Sequence, residues 1–215
     1  MFYIDTYADK YQKMQGFPIT IIDKDNEYIQ AYMSFEQSTR STYDIAMRAA
    51  TIDALITMED IDKLKVGQLF YKNIIPDEIY FIQSINKSEQ QIKSKNINAI
   101  KQNSYTTILR KEYDEDSEKV IYKEYYSEII SFVSLQNKDE KKFAPGTEDT
   151  TIFNIQVPKK NIITDEFYDI KTSDRISLKD FNSNYTQELK IESIDAFGVP
   201  GVIRIYATRD TRTGD

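Results

Sequence analysis

Asp23, Asp25 and Glu27 alternate with Lys24 and Asn26 in one short run. That spacing opens a calcium loop, because a hard cation collects oxygen ligands from alternate positions. Tyr28 stands where such a loop needs glycine, and Ser34 where it needs a bidentate glutamate, so the run reads as a hairpin turn. Asp114, Glu115 and Asp116, with Glu118, form a second acidic cluster that could meet a cation or a basic partner. A solvated hairpin tip is the plainer reading. Arg204, Arg209 and Arg212, with Asp210 among them, could line a phosphate path or make ion pairs between subunits. Ion pairs are favoured: the formal net charge is −7, and non-specific nucleic-acid affinity comes mainly from Lys and Arg neutralising phosphates.

Much other chemistry is excluded outright. The sequence holds neither histidine nor cysteine, which removes Ser-His-Asp and Cys-His catalysis, thiolate zinc sites and disulfides. No Gly-rich phosphate loop or dinucleotide fingerprint occurs. An enzyme would have to work with carboxylates, Lys, Tyr or Ser alone. A glycosidase-type carboxylate pair draws on separate strands, so spacing cannot reveal one. We expect no catalysis, no cofactor and no metal. The 16 tyrosines could stack sugars or bases; core packing and subunit contact are the favoured role.

These side chains need a scaffold, and the residue types point to sheet. Sixteen Tyr and eleven Phe favour strands, while few Gly and Pro argue against long disordered linkers. Residues 64–85 are read as one hairpin: Gly67 turns the chain into Leu69-Phe70-Tyr71, Pro76-Asp77-Glu78 reverses it, and residues 80–85 return. The return strand alternates, with Tyr80, Ile82 and Ser84 on one face and Phe81, Gln83 and Ile85 on the other. Residues 173–195 repeat the design, with strand 173–178, a turn at 182–184 and a return that again ends in Ser-Ile.

Around these hairpins we expect a short helix over 6–15 stopped by Gly16, and strands over 19–23, 28–35, 98–110, 152–157 and 202–207. The alanines of 44–58 suit a helix, but Ile52, Ala54 and Ile56 alternate as in a strand, which is favoured. Residues 120–135 are rich in β-formers, yet Ile121, Tyr125, Ile129 and Val133 also keep helical spacing, and either type fits. The charged run 136–149, ending in Pro145-Gly146, divides the chain into a module over 1–135 and another over 150–215 with an exposed tail. The expected fold is mainly β: two small barrel-like modules, a short N-terminal helix and long polar loops. The first residues lack the basic and apolar regions of a signal peptide, and no apolar run is long enough to cross a bilayer. A soluble product made in the cytoplasm is expected.

The run Ala50-Thr51-Ile52-Asp53-Ala54-Leu55-Ile56, then Leu64-Lys65-Val66-Gly67-Gln68-Leu69-Phe70, then Tyr80-Phe81-Ile82-Gln83-Ser84-Ile85 resembles the small neck proteins of tailed bacteriophages, the head–tail connector or head-closure proteins. Asp174-Arg175-Ile176, Leu189-Lys190-Ile191-Glu192-Ser193-Ile194-Asp195 and Gly201-Val202-Ile203-Arg204-Ile205-Tyr206-Ala207 are similar to a connector barrel as well. Two modules depart from the usual single barrel. The resemblance implies a structural virion protein, a ring in the neck or collar of a phage or phage-tail-like particle, assembled in the bacterial cytoplasm. Its partners would be further copies of itself and virion proteins on the portal or adaptor side and the tail side. DNA would pass unspecifically through the lumen, and no membrane is involved. Within the same class, a tail terminator or baseplate component is the alternative; outside it, a carbohydrate-binding module or a metal-dependent hydrolase. Arg204, Arg209, Asp210, Arg212, Asp114, Glu115 and Asp116 are the expected interface residues, chosen by tail or loop position.

Overall fold

The computed structural model describes residues 16–22, 28–36, 50–86, 94–114, 118–137, 151–161, 163–183 and 185–209. Among them the chain is mainly β, with twelve strands and a short 3-10 turn at Ile61–Lys63. The strands are β1 (Phe17–Ile22), β2 (Tyr28–Glu36), β3 (Thr51–Thr57), β4 (Leu69–Lys72), β5 (Ile75–Asn86) and β6 (Ser94–Lys101). They continue as β7 (Ser104–Asp114), β8 (Lys119–Asn137), β9 (Thr151–Pro158), β10 (Arg175–Asp180), β11 (Thr186–Asp195) and β12 (Val202–Arg209). They close into two barrels, ordered β1-β2-β3-β6-β5-β4 and β7-β8-β9-β12-β11-β10. Adding six to each strand number turns one order into the other. Closure removes the sheet edges that would otherwise offer unpaired N–H and C=O groups.

The correspondence extends to single residues. In the first barrel Ile21 lies opposite Phe70, and Phe70 opposite Tyr80. In the second, Ile108 lies opposite Ile176, and Ile176 opposite Leu189. All six are buried, and each Ile, Leu or Phe among them contributes about 1.5–3 kcal/mol by leaving water. On the return strands Ile82 faces Ala99 and Ile191 faces Ala207. A register shift then falls between Ile82 and Ser84 in one barrel, and between Ile191 and Ser193 in the other. Gln83 and Glu192 are therefore matching β-bulge residues, each an extra residue that bends its strand.

The bulge corrects the strict alternation expected for 80–85. Ile82 and Ile85 lie opposite Ala99 and Ile97, two positions apart on β6, so both face the first barrel's core. The reversal of the hairpin also moves. Asn73 and Ile74 make the turn, and Pro76, Asp77 and Glu78 belong to β5, where the register shifts against β4. Proline is tolerated there because a bulged position has no ladder bond to donate. Asn73 is tied down by its own backbone N–H donating to the Pro18 carbonyl at 3.1 Å and by Thr20 Oγ1 donating to its Oδ1 at 2.8 Å.

The chain divides differently from the expected break at 136–149. One unit comprises Met1–Gln102, Pro158–Tyr168 and Val199–Val202; the other comprises Asn103–Val157, Asp169–Gly198 and the chain from Ile203 onward. The strand expected over 98–110 is split by this boundary into β6 and β7. Gln102 donates its backbone N–H to the Ile79 carbonyl at 2.8 Å, whereas Asn103 donates to Ser131 at 3.1 Å. Adjacent polar residues thus bind different barrels, with no Gly or Pro to advertise the change. Residues 51–57 and 119–137 are strands, as favoured for the former and left open for the latter. The helix expected over 6–15 is not borne out, since it lies outside the described residues, as do the run 23–27 and most of 136–149.

Candidate assembly surface

The β7–β8 hairpin outruns its own barrel. β10 accompanies β7 up to the pair Leu109↔Arg175, and β9 joins β8 from Phe132↔Gln156. Beyond Leu109 the two strands continue as a ribbon pairing Arg110↔Lys123, Lys111↔Tyr122, Glu112↔Ile121, Tyr113↔Val120 and Asp114↔Lys119. No third strand joins this ribbon among the described residues. Opposite residues share a face. One face therefore carries Lys111, Tyr113, Val120, Tyr122 and Glu124, and the other Arg110, Glu112, Asp114, Lys119, Ile121 and Lys123. Tyr113 is 63% exposed, Val120 48% and Tyr125 44%. Tyr113 and Val120 lie opposite each other, so they form one exposed apolar pair on that face.

The root of the ribbon is ionic. Arg110 grips Asp174, with Nε donating to Oδ1 at 3.0 Å and Nη2 to Oδ2 at 2.8 Å. It also bonds the carboxylate and the backbone carbonyl of Asp169. Its guanidinium lies 3.7 Å from the Tyr125 ring centroid. The Asp174 hydrogen bond, opposed by burial, holds Arg110 above its already high basic range. Arg175 similarly covers the Tyr122 ring at 4.1 Å, and Lys123 bridges to Glu112 at 3.0 Å. Two bulges follow in β8, one around Tyr125 and one at Ser127-Glu128, where Glu128 has φ 50°.

Two other groups of polar side chains could carry chemistry. In the first unit Glu78 accepts from Lys101 at 2.7 Å and from the Tyr80 hydroxyl at 2.9 Å, with Lys72 at 3.6 Å. The Lys101 hydrogen bond leads in holding Glu78 below the usual carboxylate range, whereas burial and then Glu78 push Tyr80 up. The lysines and the Tyr80 hydroxyl thus converge on the Glu78 carboxylate as an ionic clasp. In the second unit Thr106 Oγ1 and Ser104 Oγ lie 2.7 and 3.0 Å from Ser131 Oγ. These buried hydroxyls satisfy one another and the neighbouring backbone. A shallow hollow of about 160 Å³ lies beside exposed Tyr185, with Asp180, Gln187 and Asn103 on its lining. Among the described residues no three carboxylates converge as metal ligands, and no helix is long and apolar enough to cross a membrane.

Of the seven expected interface residues, Asp114, Arg204 and Arg209 are among the described residues. Asp114 ends β7 at the ribbon tip, and Glu115 and Asp116 lie outside the described residues. Arg204 sits within β12 opposite Asp195, Arg209 ends that strand, and Asp210 and Arg212 lie outside the described residues. The exposed Tyr113 and Val120 of the ribbon were not among the expected interface residues, and the clue to them was the acidic tip, which marks a hairpin. No family model matches this chain, and neither the curated proteins nor the solved structures contain a match.

Proposed function

We propose that this chain is a ring-forming structural component of a tailed bacteriophage or a phage-tail-like particle, placed at the neck or collar between head and tail. The observation that carries this reading is the β7–β8 ribbon. A closed barrel offers no edge for association, whereas a ribbon beyond the barrel wall presents two open edges and an aromatic face. A single patch that meets a different patch on an identical copy generates a ring when the rotation closes. The repeated turn, hairpin and Ser-Ile return, which carry the likeness to connector barrels, support the same reading. The acidic balance would let DNA slide through a lumen without sticking.

The test is to induce particles from the source organism, detect the chain by mass spectrometry and locate it by cryo-electron microscopy. Density at the head end of the tail supports a neck component. Density at the tail tip moves it to the baseplate, and absence from purified particles removes the reading. The hollow beside Tyr185 favours one second reading, a carbohydrate-binding module, because an aromatic ring flanked by Asp and amide side chains suits a sugar. Titration with a glycan panel decides it.

A further inference from the structure

We infer that copies of this chain join through their ribbons, the β7 arm of one copy pairing antiparallel with the β8 arm of the next. The inference rests on the ring reading above and specifies its contact. The outer edge of β7 over 110–114 and that of β8 over 119–124 run antiparallel in each ribbon. Ribbons set side by side therefore continue as one antiparallel sheet, with the main chain supplying the affinity.

Opposite-charge and aromatic pairing together favour one register. Repeating the pairing found inside the ribbon would set Arg110 opposite Lys123 of the next copy, a repulsive pair. A slip of one residue sets Lys111 opposite Lys123 and exchanges the two faces. A slip of two keeps the faces and sets Lys111 opposite Glu124, Glu112 opposite Lys123 and Tyr113 opposite Tyr122. Two opposite-charge pairs then flank an aromatic pair, the kinds of cross-strand neighbour that stabilise sheets. Lys111 and Glu124 are both exposed.

The same slip has the geometry that closure needs. Two residues of stagger per two-stranded ribbon make the total stagger equal to the number of strands, whatever the number of copies. An eight-stranded barrel with that ratio tilts its strands by about 36°, within the usual range for closed barrels. The ribbons would thus line a ring as a continuous barrel, with neither arm left as an edge.

The chain has no cysteine, so single-cysteine variants report contacts cleanly. Full-length Tyr113→Cys and Tyr122→Cys are produced separately and mixed under oxidation, in solution and in particles. The inference expects disulfide-linked dimers from the mixture and none from either variant alone. Lys111→Glu should abolish these dimers, and adding Glu124→Lys to the same chain should restore them. A chain found as a ring in particles without these cross-links overturns the ribbon contact and leaves the ring reading standing. Dimers from a chain absent from particles support the contact and overturn the virion assignment. A chain absent from particles that also fails to cross-link overturns both.

Discussion

Arg110 and Asp174 meet through two parallel hydrogen bonds, from Nε at 3.0 Å and Nη2 at 2.8 Å, across 64 residues of sequence. The Asp174 side chain is 1% exposed and also accepts the Lys171 backbone N–H at 2.9 Å. The pair therefore fastens the root of the ribbon to the turn that enters β10. Arg110→Ala would leave a buried carboxylate without its cation, at a cost on the order of 3–5 kcal/mol. Arg110→Lys should recover only part of it, since an ammonium cannot span both oxygens. Chemical denaturation of the two variants checks this.

Two glycines of the first unit should fail for different reasons. Gly67 has φ 98° and nothing within 4 Å of an added Cβ, so Gly67→Ala costs about 1–2 kcal/mol of backbone strain. A Cβ at Gly201 would sit 2.2 Å from Val66 Cγ1, an overlap worth about 1–3 kcal/mol. Adding Val66→Ala should relieve the strain of Gly201→Ala and not that of Gly67→Ala. Thermal denaturation of the four variants separates the cases.

Glu78 makes part of the stability depend on acid. Its folded pKa is lowered from 4.5, chiefly by the Lys101 hydrogen bond. The contribution is therefore present above the unfolded value and is lost as pH falls through the folded one. Glu78→Gln should be less stable than the parent at pH 7. The gap should narrow once the pH drops below about 4.5, measured as the difference in Tm across a pH series.

Tyr113→Ser and Val120→Ser probe the ribbon without touching either core. Surface changes of this kind usually alter stability by about 0.5 kcal/mol or less, so their Tm values should match the parent. Incorporation into particles should fall well below the parent level. Normal incorporation of the double variant would show that the aromatic face is not a contact.

Much of the barrel was written in the sequence, and the misread faces of 80–85 have a physical cause. Period-2 patterning located β1, β2, β9 and β12, and the likeness of 64–85 to 173–195 picked out the hairpins β4–β5 and β10–β11 that occupy matching places. A bulge breaks that period. Ile82 and Ile85 are three apart yet face one core, and so are Tyr126 and Ile129, which lie opposite Ile108 and Thr106. The segment 120–135 could not be typed for a different reason: the four-residue spacing of Ile121, Tyr125, Ile129 and Val133 suits one face of a helix and one face of a strand alike. The unit boundary hid for another reason: a change of partner between Gln102 and Asn103 requires no special backbone residue. The pairing of Tyr113 with Val120 was hidden because the tip separates the two arms.

The way the chain is shared between the two units has a consequence for its synthesis. All six strands of the first barrel are translated by residue 101, yet Pro158–Tyr168 and Val199–Val202 belong to the same unit. Lys159 donates to the Gly201 carbonyl at 3.0 Å within that late-arriving part. The N-terminal unit therefore cannot be completed on the ribosome ahead of the C-terminal one, the usual sequence for tandem domains. Both wait for the segment that runs from Val199 into β12. A gene cut between β6 and β7 would not yield two intact halves, because the first would lack segments that only the second half encodes.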